Sequence, residues 1–147
     1  MLMKQTQTTT APKVLTDEEV SKNRALLCAK AALDKKAENL KILDLNELSS
    51  FTGYFVICSG QSERQVQAIA NSVESQMGIQ NYDLLALEGY GEGRWILMDF
   101  GDVIVHIFLD ALREYYDLET LWSEAPKVKV PPEYYTSSSS GSSENYN

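Results

Sequence analysis

The chain has 147 residues, 44% of them apolar, and a formal charge of −8. That length suits one domain with its own core; no run approaches the roughly 18 apolar residues that span a bilayer, and the polar, Thr-rich start lacks a signal-peptide core, so the expectation is a cytoplasmic protein without membrane contact. Between Ile79 and Ala125 ten carboxylates face only Arg94 and Arg113, a balance that opposes direct binding of DNA or other nucleic acid and suits a basic protein partner.

Residues 1–14 lack periodicity and are expected to form a flexible arm. A helix should then open at Thr16 or Asp17, because Thr16 and Glu19 make a capping box and Leu15 with Val20 a hydrophobic staple. Its apolar stripe is Val20, Leu27, Cys28, Ala31 and Ala37, and it should end near Glu38. Leu40 to Leu45 reads as a strand, and Asn46 to Gly53 as a loop with Leu48 and Phe51 turned inward. Tyr54-Phe55-Val56-Ile57-Cys58 is a near-continuous apolar run, expected to be a central strand covered on both faces.

Ser62 with Gln65 offers a second capping box, opening a helix with Val66, Ile69, Ala70, Val73 and Met77 on one stripe and Gly78 as its C-cap. Leu84 to Leu87 follows as a third strand, and strand, helix and strand together predict a βαβ unit with parallel strands. The stretch Arg94 to Leu109 holds two apolar runs that flank Gly101-Asp102, a strong hairpin signal. That register puts Ile96, Met98, Phe100, Val103, Val105 and Ile107 on one wholly apolar face. The other carries Trp95, Leu97 and Asp99 opposite Phe108, His106 and Ile104, and is mixed. Helical turns over Ala111 to Tyr116 and after a capping Asp117 should close the domain, with Leu118, Leu121 and Trp122 on one side. The whole predicts a single α/β domain over residues 15–125, with a mixed sheet of about five strands and helices packed on it. The Ser-rich residues 126–147 are expected to be a disordered tail.

Cys28 and Cys58 lack metal-ligand spacing and are read as small buried hydrophobes in a reducing compartment. Asp99-Phe100-Gly101 copies the metal-binding triplet of protein kinases, but the chain is far too short for that machinery. Gly89, Gly91 and Gly93 open a strand, so no helix N-terminus awaits a phosphate there. Nucleotidyl transfer through Ser59-Gly60 with Asp99 and Asp102 is the serious enzyme alternative, yet Asp99 points from a strand face and Asp102 sits in the turn. His106, the only histidine, has Asp99 within diagonal reach across the hairpin but no nucleophile, so a structural histidine is the better reading. No catalytic residue, cofactor or metal site is expected. Trp95 and Tyr116 can be core or, among so many carboxylates, anchors for a basic partner; Trp122 reads as core.

Ser50-Phe51-Thr52-Gly53-Tyr54-Phe55-Val56-Ile57, Ser59-Gly60-Gln61-Ser62-Glu63-Arg64-Gln65-Val66, Glu88-Gly89, the run Arg94 to Phe108, and Tyr116-Asp117-Leu118-Glu119-x-Leu121-Trp122 resemble the ribosomal silencing factor (Iojap-like) family. The resemblance covers nearly all of Thr16 to Ala125. Gly53 replaces a usual Asp and Gln61 a usual Thr, which touches local loop contacts only. The resemblance implies a non-catalytic domain with nucleotidyltransferase-like topology. It also implies binding to the large ribosomal subunit through ribosomal protein L-fourteen, steric blocking of subunit joining, repression of translation, and a homodimer when free. The partner-binding residues expected on the mixed face are Trp95, Leu97, Asp99, His106 and Phe108, with Tyr116 beside them. A homodimeric scaffold using the hairpin for itself is the remaining alternative.

Overall fold

A computed structural model describes residues 14–135. The expectations for the N-terminal arm and the serine run therefore lie outside the described residues, except at Val14. Thr16 caps α1 (Asp17–Leu33) through the anticipated box: its Oγ1 accepts the Glu19 N–H at 3.1 Å, and Glu19 Oε1 accepts the Thr16 N–H at 3.0 Å. The helix stops short of Glu38. Lys36 takes a left-handed φ of 64°, while the Ala37 and Lys36 N–H groups bond to the Ala32 and Leu33 carbonyls, closing a Schellman motif. β1 (Glu38–Asp44) and β2 (Tyr54–Gly60) follow, and β2 is buried along its whole length, as its apolar run required.

Ser62 caps α2 (Glu63–Ile79) by accepting the Gln65 N–H, but Gln65 returns its oxygen to the Gln61 N–H instead of to the cap. Gly78 is not the C-cap. It lies inside the helix, and Asn81 supplies the left-handed residue, at φ 63°, in a second Schellman motif with Tyr82 N–H bonded to the Met77 carbonyl. Asn tolerates that region because its short polar side chain offsets the strain, so a glycine is not needed.

β3 (Ala86–Glu88), β4 (Trp95–Asp99) and β5 (Val103–Leu109) continue the sheet, α3 (Asp110–Tyr116) and α4 (Leu118–Leu121) follow, and β6 (Lys127–Val128) ends it. Strand order is β3-β4-β5-β2-β1-β6. Only β2 and β5 pair in parallel. The expected βαβ unit forms, with β3 running parallel to β2, but it is split: β3 sits at the far edge, and the hairpin lies between the two strands. Length and burial decide this, since β3 is three residues long and half-exposed whereas β5 is buried on both faces. The sheet has six strands because residues read as tail turn back along β1, with Val128, Val130 and Tyr134 against the core. Leu48 and Phe51 do not turn inward; they are 42% and 65% exposed. Asp117 makes no side-chain cap, and at φ 48° serves instead as the left-handed joint between α3 and α4.

The hairpin register is the one its alternation predicts: Ile96 pairs with Ile107, Met98 with Val105, Leu97 with His106, and the Phe100 N–H bonds to the Val103 carbonyl at 2.9 Å. Gly101 has φ 94°, the conformation that a tight turn demands of its first residue. α1 and α2 cover the apolar face, where Ile96, Met98, Phe100, Val103, Val105 and Ile107 pack with Cys28, Ala29, Ile69 and Val73. The small residues of α1 let its backbone approach closely. Both cysteines are free and buried there, and burial pushes the Cys58 thiol up to about 12, so neither is a ready nucleophile or metal ligand.

Asp102 does more than turn the chain. Its carboxylate accepts the Ser21 hydroxyl at 2.7 Å and pairs with Arg24 at 3.1 Å, and the Arg24 guanidinium lies 4.2 Å above the Tyr82 ring. The hairpin turn is thus clamped to the first turns of α1. Asp102→Ala should lower unfolding stability by about 1–2 kcal/mol, because the paired groups are largely shielded from water. Urea titrations of the two proteins measure this; equal midpoints and slopes would show that the clamp contributes nothing.

Candidate functional site

The second sheet face carries a smaller cluster of Leu43, Leu45, Phe55, Ile57 and Phe108, with Trp95, Ile104, Leu118 and Trp122 packed against it. α3 and α4 cover part of it. Toward β3 and β4 the cover ends, and there the face is half-open: Trp95, Leu97 and Asp99 are partly exposed and Tyr116 is 45% exposed. Four of the six residues expected to bind a partner are therefore accessible. His106 and Phe108 are not, at 4% and 1% exposure. That expectation is corrected, because alternation along a strand decides which face a side chain joins but says nothing of how deeply other elements cover it.

The buried pair instead forms the floor under the accessible group. Trp95 stacks on Phe108 with ring centres 4.9 Å apart and lies 4.6 Å from the Tyr116 ring. Its indole Nε1–H donates to His106 Nδ1 at 3.1 Å, and Phe55 meets the His106 ring edge-on at 4.5 Å. A neutral ring that accepts at Nδ1 carries its proton on Nε2, and that buried nitrogen has no partner among the described residues. Asp99 does not reach His106. Its Oδ1 accepts the Gly101 N–H at 2.8 Å and so braces the turn.

Two further supports set Trp95 and Tyr116 in place, and neither was foreseen. Gly89 has φ 80°, and a Cβ there would lie 2.1 Å from the Trp95 carbonyl oxygen, so only glycine lets the β3–β4 turn pass under Trp95. Arg113, buried beneath α3, donates to Ser59 Oγ at 2.9 Å and to both Glu119 oxygens, while Lys41 pairs with the same carboxylate at 3.2 Å. This fixes α3, and with it Tyr116, against the ends of β1 and β2. A faint signal existed: Arg113 is one of two cations among ten carboxylates between Ile79 and Ala125. Its partner six residues on matches no helical or strand spacing, so the pairing itself was not legible.

The residues required for nucleotidyl transfer are not brought together. Ser59 is buried opposite Phe108, while Asp102 adjoins Val103, opposite Tyr54. Five positions at about 3.3 Å each separate the two ends by about 16 Å. Ser59 is also committed to Arg113, and Asp99 and Asp102 to the turn. Among the described residues, no group of three His, Cys, Asp or Glu converges as a metal site.

Burial lowers the His106 pKa from its ordinary 6.5 to about 4. Between those values the unfolded chain binds a proton that the folded chain refuses. The stabilisation is therefore complete above about pH 6.5 and is lost as pH falls toward 4, a difference of about 3 kcal/mol. Glu119 acts in the same sense. Its bond to Arg113 holds it below the usual carboxylate range, and the stability it contributes disappears as pH falls through that depressed value. Denaturant unfolding at pH 7 and pH 5 should show a fall in stability that His106→Asn largely removes; an unchanged fall in the variant would contradict the assignment.

The chain matches the family model described as "Ribosomal silencing factor during starvation" over residues 18–147. It is 44% identical to Ribosomal silencing factor RsfS of Halalkalibacterium halodurans over 71% of this chain and 89% of that one. Identity to the protein of the same name from Bacillus subtilis is also 44%, over 68% of this chain and 85% of the relative. A crystal structure of a Chromobacterium violaceum protein superposes with a TM-score of 0.68 at 38% identity, covering 69% of this chain and 85% of that one. A second, from Bacillus halodurans, gives 0.67 at 41% identity, covering 74% and 99%. With the family model matching most of its length and these relatives 44% identical to it, the chain belongs to the ribosomal silencing factor family.

Proposed function

We propose that the chain binds the large ribosomal subunit through ribosomal protein L-fourteen, blocks joining of the small subunit sterically, and so represses translation in the cytoplasm. The partly exposed Trp95, seated between buried Phe108 and exposed Tyr116, is the observation that carries the reading. Aromatic anchors on a rigid floor dominate binding energy, since they bury large apolar area and have little side-chain entropy left to lose. Leu97 continues the apolar patch, and Asp99 with Glu88, which pairs opposite Leu97, gives it an acidic rim. A basic protein surface complements that rim, and the acidic excess of this half of the chain favours the encounter. Family membership supports the ribosome as the place where such a surface is met. His106 and Phe108 contribute by supporting the anchors, not by touching the partner.

The free protein is a homodimer in this reading, with the same apolar patch covered until a subunit is met. Binding is favoured over nucleotidyl transfer because Ser59, Asp99 and Asp102, the groups that reaction would need, are each engaged in holding the fold.

Sucrose-gradient sedimentation of ribosomal subunits with the protein tests this. The wild-type chain should migrate with the large subunit and reduce 70S formation. Trp95→Ala should weaken binding by about thirtyfold or more. For the charge arm Glu88→Arg is cleaner than Asp99→Arg, since Asp99 also braces the turn; its effect should shrink at high salt. Unimpaired cosedimentation of both variants would refute this face as the docking surface.

A further inference from the structure

We infer that His106 is a positioning residue for binding: by accepting the Trp95 indole N–H on Nδ1, it fixes the orientation in which the anchor is presented. This rests on the Trp95 face being the docking surface. The rings of Phe108 and Tyr116 wall the indole at 4.9 and 4.6 Å. Dispersion between such surfaces is non-directional and distinguishes poorly between one indole orientation and its flipped alternative. Among the described residues, the directional contact on the ring is the 3.1 Å bond from Nε1–H to His106 Nδ1. A flipped indole would forfeit it and leave the buried imidazole nitrogen without a donor.

The chemistry of the position makes the same point. His106 pairs across the sheet with Ile57 and Leu97, and Phe55 and Phe108 lie against its ring. Every one of these neighbours is apolar. If the position only filled space, an apolar side chain would do so without burying an orphan Nε2–H, which has a real desolvation cost. What the imidazole adds, and Leu or Phe cannot, is an acceptor aimed at Trp95. Asn can replace it in part, because its amide oxygen occupies about the place of Nδ1, whereas Leu cannot.

The role separates from a purely structural one because stability and binding should move apart. Four full-length variants are compared with the wild type: His106→Leu, His106→Asn, Trp95→Phe and the double variant Trp95→Phe with His106→Leu. Each is measured for thermal stability, for hydrogen exchange of the Trp95 indole N–H by NMR where Trp95 is present, and for affinity to isolated large ribosomal subunits. His106→Leu should fold with little loss of stability, accelerate exchange of the Trp95 indole proton while leaving Trp122 unchanged, and weaken binding by about fivefold to tenfold. His106→Asn should retain slower exchange and recover most of the affinity. Trp95→Phe, which keeps a ring and loses the donor, should weaken binding, and the double variant should bind no worse than the poorer single variant, since both remove the same bond. Wild-type affinity in His106→Leu, or losses that multiply in the double variant, would overturn the proposal. A folding failure of His106→Leu leaves the test to His106→Asn and Trp95→Phe, where fast indole exchange in His106→Asn together with undiminished affinity would overturn it. Trp95→Ala separates the two failures. If that variant binds normally the docking reading itself falls, whereas its loss of binding alongside an indifferent His106→Leu removes only the positioning role.

Discussion

Everything at the candidate site hangs on the pairing of β4 with β5. The backbone ladder and the tight turn at Gly101-Asp102 fix which residues stand opposite one another, and a one-residue slip would exchange the two faces of the sheet. In the register adopted, one face is apolar and covered by α1 and α2, and the other sets Trp95 over Phe108 and beside His106. The turn that enforces this is held from both sides. Asp99 bonds to the Gly101 N–H, while Asp102 reaches Ser21 and Arg24 on α1, so a local backbone choice is tied to the packing of the whole helical layer.

The docking proposed for the second face relies on its incomplete cover. α3 and α4 bury Phe108 and His106 but leave Trp95, Leu97 and Tyr116 in partial contact with water. The Arg113–Glu119 pair determines where that boundary falls, since it pins α3 to Ser59 on β2 and draws in Lys41 from β1. Gly89 performs the matching task on the other side of Trp95. Trp95 is thus placed by contacts made within the fold, which is how a small domain can keep aromatic side chains partly exposed without letting them collapse into its core.

Much of the fold was legible because it is encoded locally. The Thr16 box, the α2 stripe, the buried β2 run and the Gly101-Asp102 hairpin all follow from spacing and turn chemistry over a few residues. What escaped was non-local or depended on depth. Strand order could not be read, because nothing in Ala86–Glu88 says that a hairpin will lie between it and β2. β6 is a two-residue strand that exists only because β1 has a free edge for it. Within the site, alternation named the correct face at Trp95, Leu97, Asp99, His106 and Phe108, yet it could not say that His106 and Phe108 lie beneath it. The Asp102 clamp and the Arg113 latch were missed for the same reason, as their partners are far away in sequence or irregularly spaced.

The central claim is that the half-open aromatic face, and not the helical layer, meets the ribosome. An electron cryo-microscopy map of the full chain on the large ribosomal subunit tests this most directly. The account predicts Trp95, Leu97 and Tyr116 against ribosomal protein L-fourteen, with α1 and α2 turned to solvent. A map in which α1 and α2 pack on the subunit while Trp95 faces solvent would contradict it.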